Sequence, residues 1–258
     1  MTIGLDWLPQ TAYFYLLIFA RVGTMLMLMP AIGEGMIPAR MRLTFALLFS
    51  LALYPLLVEG LPPFAENNLL QVMTILLHEM AVGFIIGGIA RLIVSAAQTA
   101  GAIIAFQVGL SIATAADPTQ QGSQGALIGS FLSFLGLTLI FATDMHYLIL
   151  SAIYDSYTVF SPSSPLMLGD AADLAIRTIS SAFSIAIQMS GPFIVFGLVF
   201  YLGLGILARL MPQVQVFFVA MPANIGIGLL LLALLLTMMM GWYLTHIEDH
   251  FMMLRGGR

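Results

Sequence analysis

The sequence has no cysteine, no lysine, and only 8% charged residues. Without thiols there can be neither a disulfide framework nor a thiolate metal site. Without charge there is no soluble exterior. In a chain of 258 residues that is 60% hydrophobic, the few ionisable side chains are too sparse to coat a surface, so the protein belongs in a membrane. The net charge of −4 is spread without acidic or basic blocks, which removes nucleic acid from the expected partners. The N-terminus, MTIGLDWLPQTAYFYLL, carries Asp6 and no Lys or Arg before its first apolar run. It therefore lacks the positive region of a cleaved signal, and the first helix is expected to stay in the mature protein.

Enzyme signatures are equally thin. His78 and Glu79 begin a zinc-protease-like pair, but position 82 is valine, so the second histidine is missing. Asp144 has no second aspartate in a matching run with which to share a proton. His246, Glu248, Asp249 and His250 read as a solvated helix end of mixed charge. Neither catalysis nor a cofactor or metal is expected.

What the chain does contain is apolar length. Runs fall at 11–33, 43–58, 69–97, 98–116, 126–159, 174–208 and 214–245. At about 1.5 Å per residue several exceed the thickness of a bilayer's hydrocarbon core, so they must tilt, break or leave it. Asn68 with Gln71 and Asp170 with Asp173 resemble N-cap pairs, and Pro38 suits a first helical turn. The Ser161–Pro165 stretch, SPSSP, reads as a linker. Beyond it two long helices form a hairpin that turns at ARLMPQ, where Pro212 ends the first. Alternating the runs across a membrane sets Arg40 and Arg42 against either the Arg209 turn or the C-terminal arginines. No simple weave keeps basic residues on one side, which points to hairpins buried against protein.

Arg21, Glu79, Arg91, Asp144 and His146 sit where lipid-facing helices avoid charge, and are expected to face protein or water. Residues recur at four-residue spacing in three series: Glu79, Gly83, Gly87 and Arg91, with a charge at either end and two glycines between; and the small residues Ala97, Gly101, Ala105, Gly109 and Ala113, and Gly125, Gly129 and Ser133. Such ridges let helix backbones approach closely. Packing within one chain and docking into a multi-subunit ring both produce them. Met25, Met27 and Met29 alternate with leucines and read chiefly as apolar filling.

Between two very apolar runs lies FQVGLSIATAADPTQQGSQG, Phe106 to Gly125, which is small, polar and glycine-rich. Asp117-Pro118 ends any preceding helix, and Gly109 and Gly122 offer pivots. Irregular backbone at membrane depth is tolerated only inside protein or beside water. A constriction loop needs this composition; an exposed turn also has it.

Four stretches together resemble the FliR family, the R component of the flagellar type III export gate, with SpaR-like injectisome relatives. They are RVGTMLMLMPAIGEGMIPARMRL from Arg21, AGAIIAFQVGLSIATAADP from Ala100, TDMHYLIL from Thr143 and GILARLMPQVQVFFVAMPANIGIGL from Gly205. The resemblance covers nearly the whole chain. It implies an all-α membrane protein of long tilted helical hairpins with broken helices, packed in a multi-subunit helical export-gate assembly. It further implies a non-enzymatic core subunit of a protein-conducting channel in the bacterial inner membrane, within the flagellar basal body, with membrane lipids around it. The implied partners are P and Q subunits, the export switch protein B, the export platform protein A, and the unfolded flagellar proteins that pass through. Residues 1–160 would be the P-like part and 161–258 the Q-like hairpin. The family's plug maps onto Phe106, Gln107, Gly109, Leu110, Ser111, Ile112, Thr114, Asp117 and Pro118. Helix packing or subunit contact falls to Glu79, Gly83, Gly87, Arg91, Gly101, Ala105, Gly125, Gly129, Arg209, Pro212 and Gln213. Asp144-Met145-His146 stands where the family pattern places glycine in the middle, which argues against a glycine-dependent tight turn, and Gln215 replaces a frequent asparagine. A secondary transporter with broken helices is the alternative reading.

Overall fold

The computed structural model describes residues 8–30, 32–33, 37–63, 69–110, 126–162, 168–211 and 216–254. They form α1 (Leu8–Leu28), α2 (Ala39–Leu57) with a 3₁₀ turn at Val58–Gly60, α3 (Leu69–Val94), α4 (Ala96–Gln107), α5 (Ala126–Ala142), α6 (His146–Val159), α7 (Leu168–Leu210) and α8 (Val216–Leu254). The protein is an all-α membrane protein: the described residues include five spans long and apolar enough to cross a bilayer, α3 and α4 together making one of them, or six if α5 and α6 count as one broken span. At about 1.5 Å per residue, the 43 residues of α7 reach about 65 Å, roughly twice a hydrocarbon core.

Local chemistry sets most helix ends. α1 stops at Leu28, where Met29 precedes Pro30, a position that disfavours the α region. α2 starts directly after Pro38, whose carbonyl accepts from the Met41 and Arg42 amides at 3.0 and 3.2 Å. Asp170 is not an N-cap: α7 begins two residues earlier, and Asp170 lies in its first turn, where a negative charge favours the helix dipole. Asp173 pairs instead with Arg177, one turn on, at 3.0 Å. Asn68 lies outside the described residues. α7 ends at Leu210, ahead of Pro212.

Between α5 and α6 the chain turns tightly without glycine. Asp144 takes φ 61°, the left-handed region that aspartate tolerates better than most side chains. The Asp144 and Met145 carbonyls accept from the Tyr147 and Leu148 amides at 3.1 and 3.0 Å. Asp144 is exposed and His146 half-buried.

The chain divides into two compact units interleaved in sequence: Met1–Leu92, Asp144–Thr178 and Asp249–Arg258 form one, Ile93–Thr143 and Ile179–Glu248 the other. In the first, α1 runs antiparallel to α2, with the Tyr15 hydroxyl donating to the Leu47 carbonyl at 3.0 Å. α1 is parallel to α3, since Gly83 abuts Arg21 and Gly87 abuts Met25. In the second, α4 and α7 run one way and α5 and α8 the other, as the paired contacts Gln107–Gly197 with Gly109–Tyr201, Val94–Tyr243 with Val108–Gly228, and Gly101–Gly129 with Gly136–Tyr243 require.

Candidate functional site

In the second unit, α4 ends in a socket built by the α7–α8 hairpin. The Val108 amide donates to the Ile104 carbonyl at 2.9 Å and the Gly109 amide to the Phe106 carbonyl at 3.1 Å, which closes the helix. Gly109 then adopts φ +75°, a conformation glycine enters without steric penalty. The helix therefore breaks at Val108-Gly109, immediately before the stretch 111–125, which lies outside the described residues.

Two glycines make room for this end. A Cβ added at Gly197 of α7 would lie 2.5 Å from Gln107 Oε1 and 3.4 Å from Gln107 Cβ. One added at Gly228 of α8 would collide with the Val108 side chain, 2.6 Å from its Cβ. Asn224 of α8, only 2% exposed, directs its Nδ2 to the Gln107 carbonyl at 3.5 Å. A Cβ on Gly109 would sit 3.0 Å from that same nitrogen and 3.6 Å from the Tyr201 hydroxyl. Asn224 Oδ1 has no hydrogen-bond partner among the described residues. Of the remaining residues near the break, Phe106 is exposed and Leu110 half-buried. Ser111, Ile112, Thr114, Asp117 and Pro118 are outside the described residues.

The small-residue ridges meet partners within each unit. On α4, Ala97, Gly101 and Ala105 are buried, and a Cβ at Gly101 would collide with the Gly129 backbone of α5, 2.8 Å from the Ile128 carbonyl carbon. A Cβ at Gly129 would be 3.0 Å from the Gln98 carbonyl oxygen. These two helices touch backbone to backbone. On α3, a Cβ at Gly83 would strike Thr24 Oγ1 and the Arg21 carbonyl oxygen, and one at Gly87 would lie 2.8 Å from the Met25 carbonyl oxygen. Arg91, at the end of that series, is exposed and takes no part in the contact, and Arg209 is exposed as well. Gly125, Pro212 and Gln213 lie outside the described residues.

Glu79 is the electrostatic centre of the first unit. Arg21 Nε donates to Glu79 Oε2 at 2.6 Å and Nη2 to Oε1 at 2.9 Å, a two-pronged pair between side chains that are both 0% exposed. Arg21 Nη1 donates to the Ser156 carbonyl at 3.0 Å, and the guanidinium carbon lies 4.1 Å from the centre of the Tyr157 ring. His78 Nδ1 stands 3.6 Å from Glu79 Oε1. α1, α3 and α6 are thereby tied through one charge pair. Arg21 and Glu79 were each legible as misplaced charges, but their partnership was not, and Ser156 and Tyr157 carry no signal in the sequence.

Two further residues escape a reading of the sequence. Tyr243, fully buried, donates to the Val94 carbonyl at 3.0 Å, where α3 gives way to α4. Asn224 lies in MPANIGIGL, where a lone asparagine between a proline and a glycine-rich run reads as any polar helix residue. The C-terminal polar group also divides: His246 is buried at 7% exposure, whereas Asp249 is exposed.

Residues 12–250 match the family described as bacterial export proteins, family 1. The chain is 45% identical to flagellar biosynthetic protein FliR of Caulobacter vibrioides over 225 residues, covering 87% of this chain and 89% of that protein. Identity to the Bacillus subtilis protein of the same name is 34%, over 84% of each chain. Yop proteins translocation protein T of Yersinia pestis is 25% identical over 91% of this chain and 90% of its own.

Proposed function

Because the chain belongs to bacterial export protein family 1, the FliR family, we propose that it is a non-enzymatic core subunit of the flagellar type III export gate. It joins P and Q subunits in a protein-conducting channel of the bacterial inner membrane, within the basal body export apparatus. The stretch that follows Gly109 serves as its plug. Residues 1–160 act as the P-like part and 161–258 as the Q-like hairpin, with the switch protein B and the platform protein A as neighbours and unfolded flagellar proteins as cargo. The flagellar assignment is favoured over an injectisome by 45% against 25% identity.

One observation carries the shared-assembly reading. The most apolar window of Gly169–Leu210 is only 11% buried within this chain and that of Val219–Met252 only 17%, against 50% for Pro9–Leu28. From Gly205 to Met211 every residue is exposed, so the end of α7, apolar except for Arg209, is uncovered by the described residues on all sides. Sister subunits that interlock with such a hairpin give it the cover that its own chain withholds. The transporter alternative needs intramembrane charges that converge on a substrate. Here Glu79 is neutralised by Arg21, and Arg91 and Asp144 are exposed.

The test is deletion of residues 110–120 in gates assembled with P and Q subunits. Ion leak across the membrane should rise while the complex still co-purifies. Assembled gates that leak no more than wild type would remove the plug.

A further inference from the structure

Asn224 is hard to explain as a stabilising residue. It is 2% exposed on an apolar membrane helix, its contact to the Gln107 carbonyl is long at 3.5 Å, and its Oδ1 is unpaired among the described residues. An unmatched buried acceptor opposes folding. Yet everything around it is shaped to receive the end of α4: Gly197 admits the Gln107 side chain, Gly228 admits Val108, and the Gly109 backbone lies against the asparagine amide. The grip is close in shape and weak in bonding, which suits a joint that must come apart.

We propose that Asn224, with Gly197 and Gly228, forms a releasable latch: it holds the root of the plug, Gln107 to Gly109, in the α7–α8 socket, and the root must leave that socket for the export path to open. Asn224 is thus a positioning residue that acts through the Gln107 carbonyl. The inference rests on the plug reading above and adds to it the element that restrains the plug. Movement of the hairpin, on which Tyr201 and Asn224 flank Gly109, is transmitted to the plug through this joint.

The absence of cysteine makes a direct experiment possible, since an introduced pair is the only one this chain can form. The Cβ positions of residues 107 and 197 lie 3.4 Å apart, next to the separation of about 3.5–4.5 Å found in disulfides. In gates assembled with their partners, the double variant Gln107→Cys/Gly197→Cys should lose export under a mild oxidant and regain it on reduction. Full export by cross-linked gates overturns the latch. Should the reduced double variant fail to export, Asn224→Ala decides. Loss of one net hydrogen bond corresponds to about a two- to tenfold shift of an equilibrium, so its ion leak should rise about two- to tenfold with assembly unchanged. A wild-type leak overturns the latch, and so does failure to assemble, because Asn224 would then be a packing residue. The deletion of 110–120 separates the two ideas. If that deletion leaks and Asn224→Ala does not, only the latch falls; if the deletion does not leak, the plug falls and the latch with it.

Discussion

Replacing Glu79 by leucine strands a guanidinium that cannot give up its charge. Arg21 is 0% exposed, and without the carboxylate it keeps only the Ser156 carbonyl at 3.0 Å and the face of Tyr157 at 4.1 Å. Breaking a buried pair from one side costs about 3–5 kcal/mol, and Glu79→Leu should lie at the upper end. Arg21→Met breaks the same pair from the other side and leaves the buried Glu79 side chain facing His78, whose Nδ1 is 3.6 Å away. The double variant Arg21→Met/Glu79→Leu leaves neither charge and fills similar volume, so it should recover most of the loss. The expected coupling is about 3 kcal/mol, and Arg21→Lys should not rescue the wild-type value because an ammonium cannot span both carboxylate oxygens.

The measurement is a double-mutant cycle on the detergent-solubilised chain, following the unfolding midpoint and slope of each of the four proteins. Abundance in membranes gives an independent ranking. Additivity of the two single variants within about 0.5 kcal/mol would refute the argument, since it would make Arg21 and Glu79 independent. So would a Glu79→Leu variant as stable as wild type.

Gly101→Ala should cost about 1–3 kcal/mol by overpacking, because the new methyl meets the Gly129 backbone of α5, which cannot rotate away as a side chain can; an unchanged unfolding midpoint counts against this. A Cβ at Gly203 on α7 has none of the described residues within 4 Å, so Gly203→Leu should leave the isolated chain as stable as wild type or more so, yet weaken co-purification of the P and Q subunits. Undiminished co-purification would mean that lipid, rather than protein, covers that face.

Helix existence is written plainly in the apolar runs, but helix ends are not. α8 continues to Leu254, well past the run that stops at 245, because His246, Glu248 and Asp249 are compatible with a helix and merely end its lipid-facing stretch. The run 126–159 reads as one segment and is two, divided where Asp144 adopts φ 61°. Hydropathy does not register a single left-handed residue. The division after Val94 has no proline or glycine to announce it, and the carbonyl there is taken by Tyr243, 149 positions away. Gly83, Gly87, Gly101 and Gly129 were legible as close-approach positions from their spacing alone, but spacing cannot name what approaches. Arg91 shares the spacing and stands outside the contact, because residues four apart drift around a helix of 3.6 residues per turn.

The glycines of the hairpin sharpen the question of what covers it. Gly197 and Gly228 are filled from within the chain, by Gln107 and Val108. In the interior of α7, Gly191, Gly203 and Gly205, and in that of α8, Gly226 and Gly241, have none of the described residues within 4 Å of the Cβ they lack. Each costs a helix about 1 kcal/mol relative to alanine, and no neighbour among the described residues compensates for any of them. Lipid tails gain little from a missing methyl, whereas a neighbouring helix gains close backbone approach and the dispersion contacts that come with it. An isolated lipid-facing hairpin would thus have no use for five such gaps. A hairpin whose outer faces are completed by other subunits has a use for each, while its inner face grips the end of α4.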